Sequence, residues 1–153
     1  MDESQTSVEF ASDLYSHLDS SAGDYNRFLS ELEKFEDEPE EIRRLIESAD
    51  NQLEEAFTLL DTVVLEAAEF DGENSSYTED VESEVKTIAN CLENASDTVE
   101  KALIESQGIS EQNIPDSFKF GVHTTPEDAL RYLYGDASRM SQIAFEMESL
   151  YPN

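Results

Sequence analysis

The sequence predicts an all-α protein: an antiparallel four-helix bundle with long heptad-patterned helices, filling residues 1–153 as a single acidic domain. Three observations predict it. Four stretches carry apolar residues at alternating spacings of three and four, which sets a narrow apolar seam along one side of a helix. Helix-stop and turn signals separate those stretches at Asp37-Glu38-Pro39, Asp71-Gly72 and Gly108. The remaining faces are acidic, with 37 Asp and Glu against 9 Lys and Arg and a net charge of -28.

The first helix is expected to begin at Thr6 or Ser7, because Thr6 and Glu9 have the spacing of a capping box. Its seam is Phe10, Leu14, Leu18, Ser21, Tyr25, Phe28, Leu32 and Phe35. Ser21 is the one polar member. With Ser20 and Gly23 beside it, it marks a weak or kinked centre, or a division into two shorter helices. Pro39 suits the first position of the second helix, with Asp37 or Glu38 as cap. That helix should run to about Phe70 on the seam Ile42, Ile46, Ala49, Leu53, Ala56, Leu60, Val63 and Ala67. Leu45, Phe57, Leu59, Val64 and Leu65 lie outside this row. The second helix is therefore either the most buried or the bearer of an extra association face, and Leu59 and Leu65 would support a homodimer.

Ser76 and Glu79 repeat the capping-box spacing at the start of the third helix, whose seam is Val81, Val85, Ile88, Leu92, Ala95, Val99 and Ala102. Gly108 is the expected stop after about Gln107. Residues 109–125 have no helical period yet hold Ile109, Ile114, Phe118, Phe120 and Val122. This makes a long connection between helices 3 and 4, expected to pack across the bundle. Thr125-Pro126-Glu127-Asp128 opens the fourth helix, with Leu130, Leu133, Ala137, Met140, Ala144, Met147 and Tyr151 in its seam and Gly135 as a place to bend.

The charge excludes direct nucleic-acid binding by a basic surface, since phosphates would repel this chain, and it disfavours anionic membranes. Acidic chains are often disordered, but the four seams place enough Leu, Ile, Val and Phe in register to fold. Cys91 is the single cysteine, so no intrachain disulfide forms, and it is expected in or near the core. No apolar run reaches the ~18 residues of a membrane span. The N-terminus lacks a signal-peptide pattern, so a cytoplasmic location is expected.

An acidic bundle raises the prospect of a di-metal carboxylate centre. That needs Glu at seam positions and Glu-x-x-His motifs, but Leu14 precedes His17 by three and Phe120 precedes His123 by three. Asp71–Glu82 has acids at calcium-loop positions, yet Ser76 stands where the loop needs glycine. Asp13 and His17, four apart, form a helix-surface pair without a nucleophile motif. No phosphate loop or Cys-x-x-Cys occurs. A non-enzymatic protein without cofactor or metal is expected.

The acids spread over every helix and are densest from Glu31 to Glu41, with seven in eleven residues. Self-repulsion on this scale opposes folding, so it calls for a reason. One reason is mimicry. A helix of about 30 residues is roughly 45 Å long, and duplex DNA of that length carries about 26 phosphates. In composition the chain resembles the acidic DNA-mimic inhibitors that phages and mobile elements use against restriction and other DNA-handling enzymes. The resemblance implies an anti-restriction or other anti-defence role and a basic, nucleic-acid-binding protein partner. The expected partner-binding residues are Glu31, Glu33, Glu36, Asp37, Glu38, Glu40 and Glu41, continued by Glu47, Asp50, Glu54 and Glu55. Salt adaptation is the alternative: at molar salt the Debye length is about 3 Å, and the charge of an adapter or signalling bundle would reflect a halophilic habitat. A second alternative is an immunity protein that docks on one basic toxin.

Overall fold

The computed structural model describes residues 3–69 and 75–149, with side chains over 9–63 and 82–149. It contains four long helices: α1 (Glu3–Leu32), α2 (Glu40–Glu69), α3 (Ser75–Ser106) and α4 (Pro126–Glu148). A single 3₁₀ turn, Glu111–Asn113, interrupts the connection to α4. Among the described residues there is no strand, only an isolated bridge between Phe120 and His123. α1 packs on α2 and α4, and α3 packs on α2 and α4, while among the described residues the backbones of the diagonal pairs do not come within 8 Å. Each helix therefore buries its seam against two neighbours around one shared core.

The seams are buried as their spacing requires. In α2, Ile42, Ile46, Ala49, Leu53, Ala56, Leu60 and Val63 are essentially inaccessible, as are Val85, Ile88, Leu92, Ala95, Val99 and Ala102 in α3. Alanines recur among the larger residues in both rows (Ala49 and Ala56, Ala95 and Ala102), which lets facing helices approach and interdigitate. In α4, Leu130, Leu133, Ala137, Met140, Ala144 and Met147 are buried. Each fully buried Leu, Ile or Val side chain contributes about 1.5–3 kcal/mol. Ala67, Val81 and Tyr151 lie outside the described side chains. Beyond the α2 row, Leu45 is buried, and Phe57 and Leu59 pack half-buried on the same core. The side chains of Val64 and Leu65 are outside the described set.

Several boundaries differ from the expectation. α1 begins at Glu3, so Thr6 lies inside the helix and is not its cap. No proline or glycine stands upstream to stop it, and an acid at the first position complements the positive end of the helix dipole. α1 runs through Ser20, Ser21 and Gly23 without interruption, and α4 runs through Gly135. Pro39 sits one residue before α2, and its carbonyl accepts the Arg43 N–H at 3.1 Å. Ser76 is already helical in α3. Continuous helix from Ser75 to Glu82 also removes the turning backbone that a calcium loop needs at its middle positions; Asp71–Asn74 lie outside the described residues.

α3 ends without a left-handed glycine, since Gly121 is the one glycine with positive φ among the described residues. The chain instead tightens: Gly108 donates to the Glu105 carbonyl and Ile109 to that of Ser106, both at 3.1 Å. Residues 109–125 then cross the end of the bundle. Phe118 and Phe120 are buried, with Phe28 edge-on to both at 6.3 and 6.2 Å and Phe35 edge-on to Phe118 at 6.0 Å. Phe120 and His123 exchange backbone hydrogen bonds of 2.8 and 2.9 Å around Gly121, whose φ of 61° the turn demands. α4 starts as expected: Thr125 Oγ1 accepts the Asp128 N–H at 3.2 Å and Pro126 follows the cap.

Candidate functional site

The acids between Glu31 and Glu41 come together at the α1–α2 turn, but they are not equivalent. Glu31 faces inward. Its Oε1 accepts from Lys34 Nζ at 2.9 Å and from the Lys119 backbone N–H at 2.6 Å. Lys34 also donates to the Ser117 carbonyl at 3.1 Å. Burial pushes the Glu31 carboxyl up, but these donors, with Arg27 nearby, hold it below the usual carboxylate range. Glu31 thus ties the connection to α1. Arg43 gathers three other acids: it bonds Glu38, reaches Glu47 at 3.5 Å and Glu33 at 3.7 Å, and donates to the Leu29 carbonyl at 3.2 Å. Arg44 pairs with Glu41.

Among the described residues, Glu36, Asp37 and Glu40 have no base within ion-pair distance. Glu36 and Asp37 rim a cleft of about 540 Å³ whose other walls include Phe35, Ile109, Ile114 and Pro115. Three of the chain's nine bases (Lys34, Arg43, Arg44) are therefore spent on this turn, and the most acidic stretch of sequence is also the most internally compensated.

A further set of acids lies along α2. Glu40, Glu47, Glu54 and Asp61 recur every seven residues and are all exposed. Of these, only Glu47 has a base within ion-pair distance among the described residues. Seven residues bring a helix back to nearly the same side, so the four make one row turned away from the seam. Beside the row, α1 and α2 form a groove of about 290 Å³, with Leu18, Ala22, Leu53 and Phe57 facing it and Asp19, Asp50 and Glu54 around it. Asp50 is half-buried, and burial followed by repulsion from Glu54 raises its carboxyl. Glu55 lies on another side of α2 near Cys91, whose thiol burial and Glu55 push up to about 11.

A third cluster joins α1 to α4. Asp136 takes a hydrogen bond from Ser21 Oγ and lies 3.7 Å from His17 Nδ1; His17 Nε2 is 3.7 Å from Asp13. Tyr25, fully buried, has no hydrogen-bond partner for its hydroxyl among the described residues, and burial together with Asp136, Asp50 and Asp24 drives its ionisation far above the ordinary phenol range. Asp136 sits between the serine and the histidine. The order needed to activate a nucleophile is the reverse, with histidine between the two. The cluster satisfies the polar member of the α1 seam. Ser21, the one polar residue in that seam, was its signal in the sequence; nothing in spacing alone pointed to Asp136.

Among the described residues no three His, Cys, Asp or Glu side chains are grouped to hold a metal ion, and no helix is long and apolar enough to cross a membrane. Comparison of the chain with family models, with curated proteins and with solved structures finds no match.

Proposed function

We propose that this is a non-enzymatic acidic binding protein that occupies the basic cleft of a nucleic-acid-handling protein in place of duplex DNA. The observation that supports this reading is the α2 row Glu40, Glu47, Glu54 and Asp61, exposed and, among the described residues, answered by a single base. Its pitch of ~10.5 Å is close to three base-pair steps of duplex, and its length of ~32 Å is close to one helical turn. Glu36 and Asp37 extend the surface, while Glu31, Glu33, Glu38 and Glu41 hold the fold's own bases and Glu55 lies on another side of α2. In this reading the helices alternate in direction, their heptad seams keep them side by side, and the resulting rod is about 20 Å across, the width of a duplex.

Displacement of DNA tests it. A fluorescently labelled duplex of ~20 base pairs is bound to a histone-like protein and, separately, to a restriction endonuclease without its metal. The protein is expected to release the duplex, with a midpoint that weakens steeply as salt rises. Neutralising the row (Glu40→Gln, Glu47→Gln, Glu54→Gln and Asp61→Asn together) should shift that midpoint at least tenfold. The same charge change at Glu93, Glu100, Glu105 and Asp97 on α3 should shift it far less. A duplex that stays bound to every such protein at all concentrations would count against the reading.

A further inference from the structure

We propose that the groove between α1 and α2 seats an arginine side chain from a basic amphipathic segment of the partner protein. This rests on the partner being a basic protein, as above, but adds a particular contact that DNA-like charge alone does not require. The groove combines two features. Leu18, Ala22, Leu53 and Phe57 give it apolar walls, and Asp19, Asp50 and Glu54 give it three carboxylates. No base of the chain lies within ion-pair distance of those three among the described residues. Elsewhere the fold supplies its own cation to acids beside apolar surface, as Lys34 does for Glu31 and Arg27 for Asp24, at 2.9 and 2.5 Å. Here, among the described residues, it does not, which leaves the three carboxylates open to a cation from outside.

Arginine fits both features. Its aliphatic stem lies along apolar walls while its head stays at the polar edge. Its planar guanidinium offers forked donors to two carboxylates at once and stacks on an aromatic face. Phe57 is the aromatic ring that borders the groove, and it packs against Tyr15 at 4.7 Å. The chain already uses this contact internally, with the Arg27 guanidinium 4.8 Å above the Phe120 ring while bonded to Asp24. Lysine, a compact and strongly hydrated point charge, would meet the carboxylates without the fork or the stack. The half-buried Asp50 carboxylate, raised by its surroundings, gains most from a cation delivered there.

Titration with two helical peptides tests the proposal without a DNA-binding protein. One is built of leucine, alanine and arginine; the other carries lysine at the same positions. Both are added at about 0.15 M salt, where surface charges more than ~8 Å apart are largely screened. The arginine peptide should bind at least fivefold more tightly than the lysine peptide and shift the backbone amide signals of Ala22 and Leu53. The near-isosteric pair Asp50→Asn with Glu54→Gln should weaken it at least tenfold. The matched pair Glu93→Gln with Asp97→Asn should change it less than twofold. Equal weakening by both pairs, equal affinity for the two peptides, or no binding would each overturn the proposal. DNA displacement by the same protein can succeed or fail independently, so the two readings are judged apart.

Discussion

Phe118→Ala is expected to destabilise the protein by about 3–5 kcal/mol, the usual cost of deleting a buried aromatic ring. Phe118 lies in a segment with no regular secondary structure, where a loop substitution would ordinarily cost little. Its ring, however, is almost wholly buried and stands edge-on to Phe28 of α1 and Phe35 of the α1–α2 turn. Losing it removes both the buried area and the aromatic contacts, and frees residues 109–125 from the end of the bundle. Val122, a few residues on, is 90% exposed, so Val122→Ala should stay within about 0.5 kcal/mol. Urea midpoints of the two variants check this directly. Limited proteolysis should cut Phe118→Ala between residues 109 and 125 while the helices persist. Equal midpoints for the two variants would mean that the connection does not pin the bundle.

Glu31→Ala should cost about 3 kcal/mol at neutral pH, since it removes a charge-assisted acceptor from both Lys34 and the Lys119 N–H. A variant that merely thinned an acidic surface would do the opposite and relieve repulsion. The pH dependence separates the two effects. The folded state holds the Glu31 carboxyl below its ordinary value, so its stabilisation is full above the unfolded pKa, about 4.3, and is lost as pH falls through the lower folded value. The gap between Glu31→Ala and the parent, read from urea midpoints, should therefore be wide at pH 7 and narrow towards pH 3. Asp50 works in the other direction. Its folded value is raised, so acidification stabilises that site. A gap that does not change with pH would contradict the inward role of Glu31.

The alternating seams were legible because a helix returns to the same side every three or four residues, and nothing else in the chain competes for those positions. Ile42 to Val63 and Val85 to Ala102 are buried residue by residue as that spacing requires. The connection was legible from composition, since Phe118 and Phe120 have no reason to face water. The start of α1 was misread because a cap is a local preference worth about 1 kcal/mol, which a few favourable upstream residues outweigh. The termination after Gly108 was misread in mechanism, because a glycine permits a left-handed stop without requiring one.

The acids were the hardest to read. In sequence Glu31 looks like Glu33 or Glu36, and only the approach of Lys119 from 88 residues away turns it inward. The same holds for Asp136, whose partner Ser21 is 115 residues distant. Counting charges along the chain located the densest run, but the bases that neutralise it, Arg43 and Arg44, lie just beyond it and fold back on it.

The central claim is that the bundle bears its carboxylates unscreened so that a basic partner can meet them. Far-UV circular dichroism with thermal melting, from near-zero added salt to molar potassium chloride, tests it most directly. The chain is expected to be strongly helical and to melt cooperatively even at the lowest salt, with modest further stabilisation as the charge is screened. A chain that stays unfolded until salt is molar would contradict it and make the acidity a property of the protein's surroundings rather than of a binding surface.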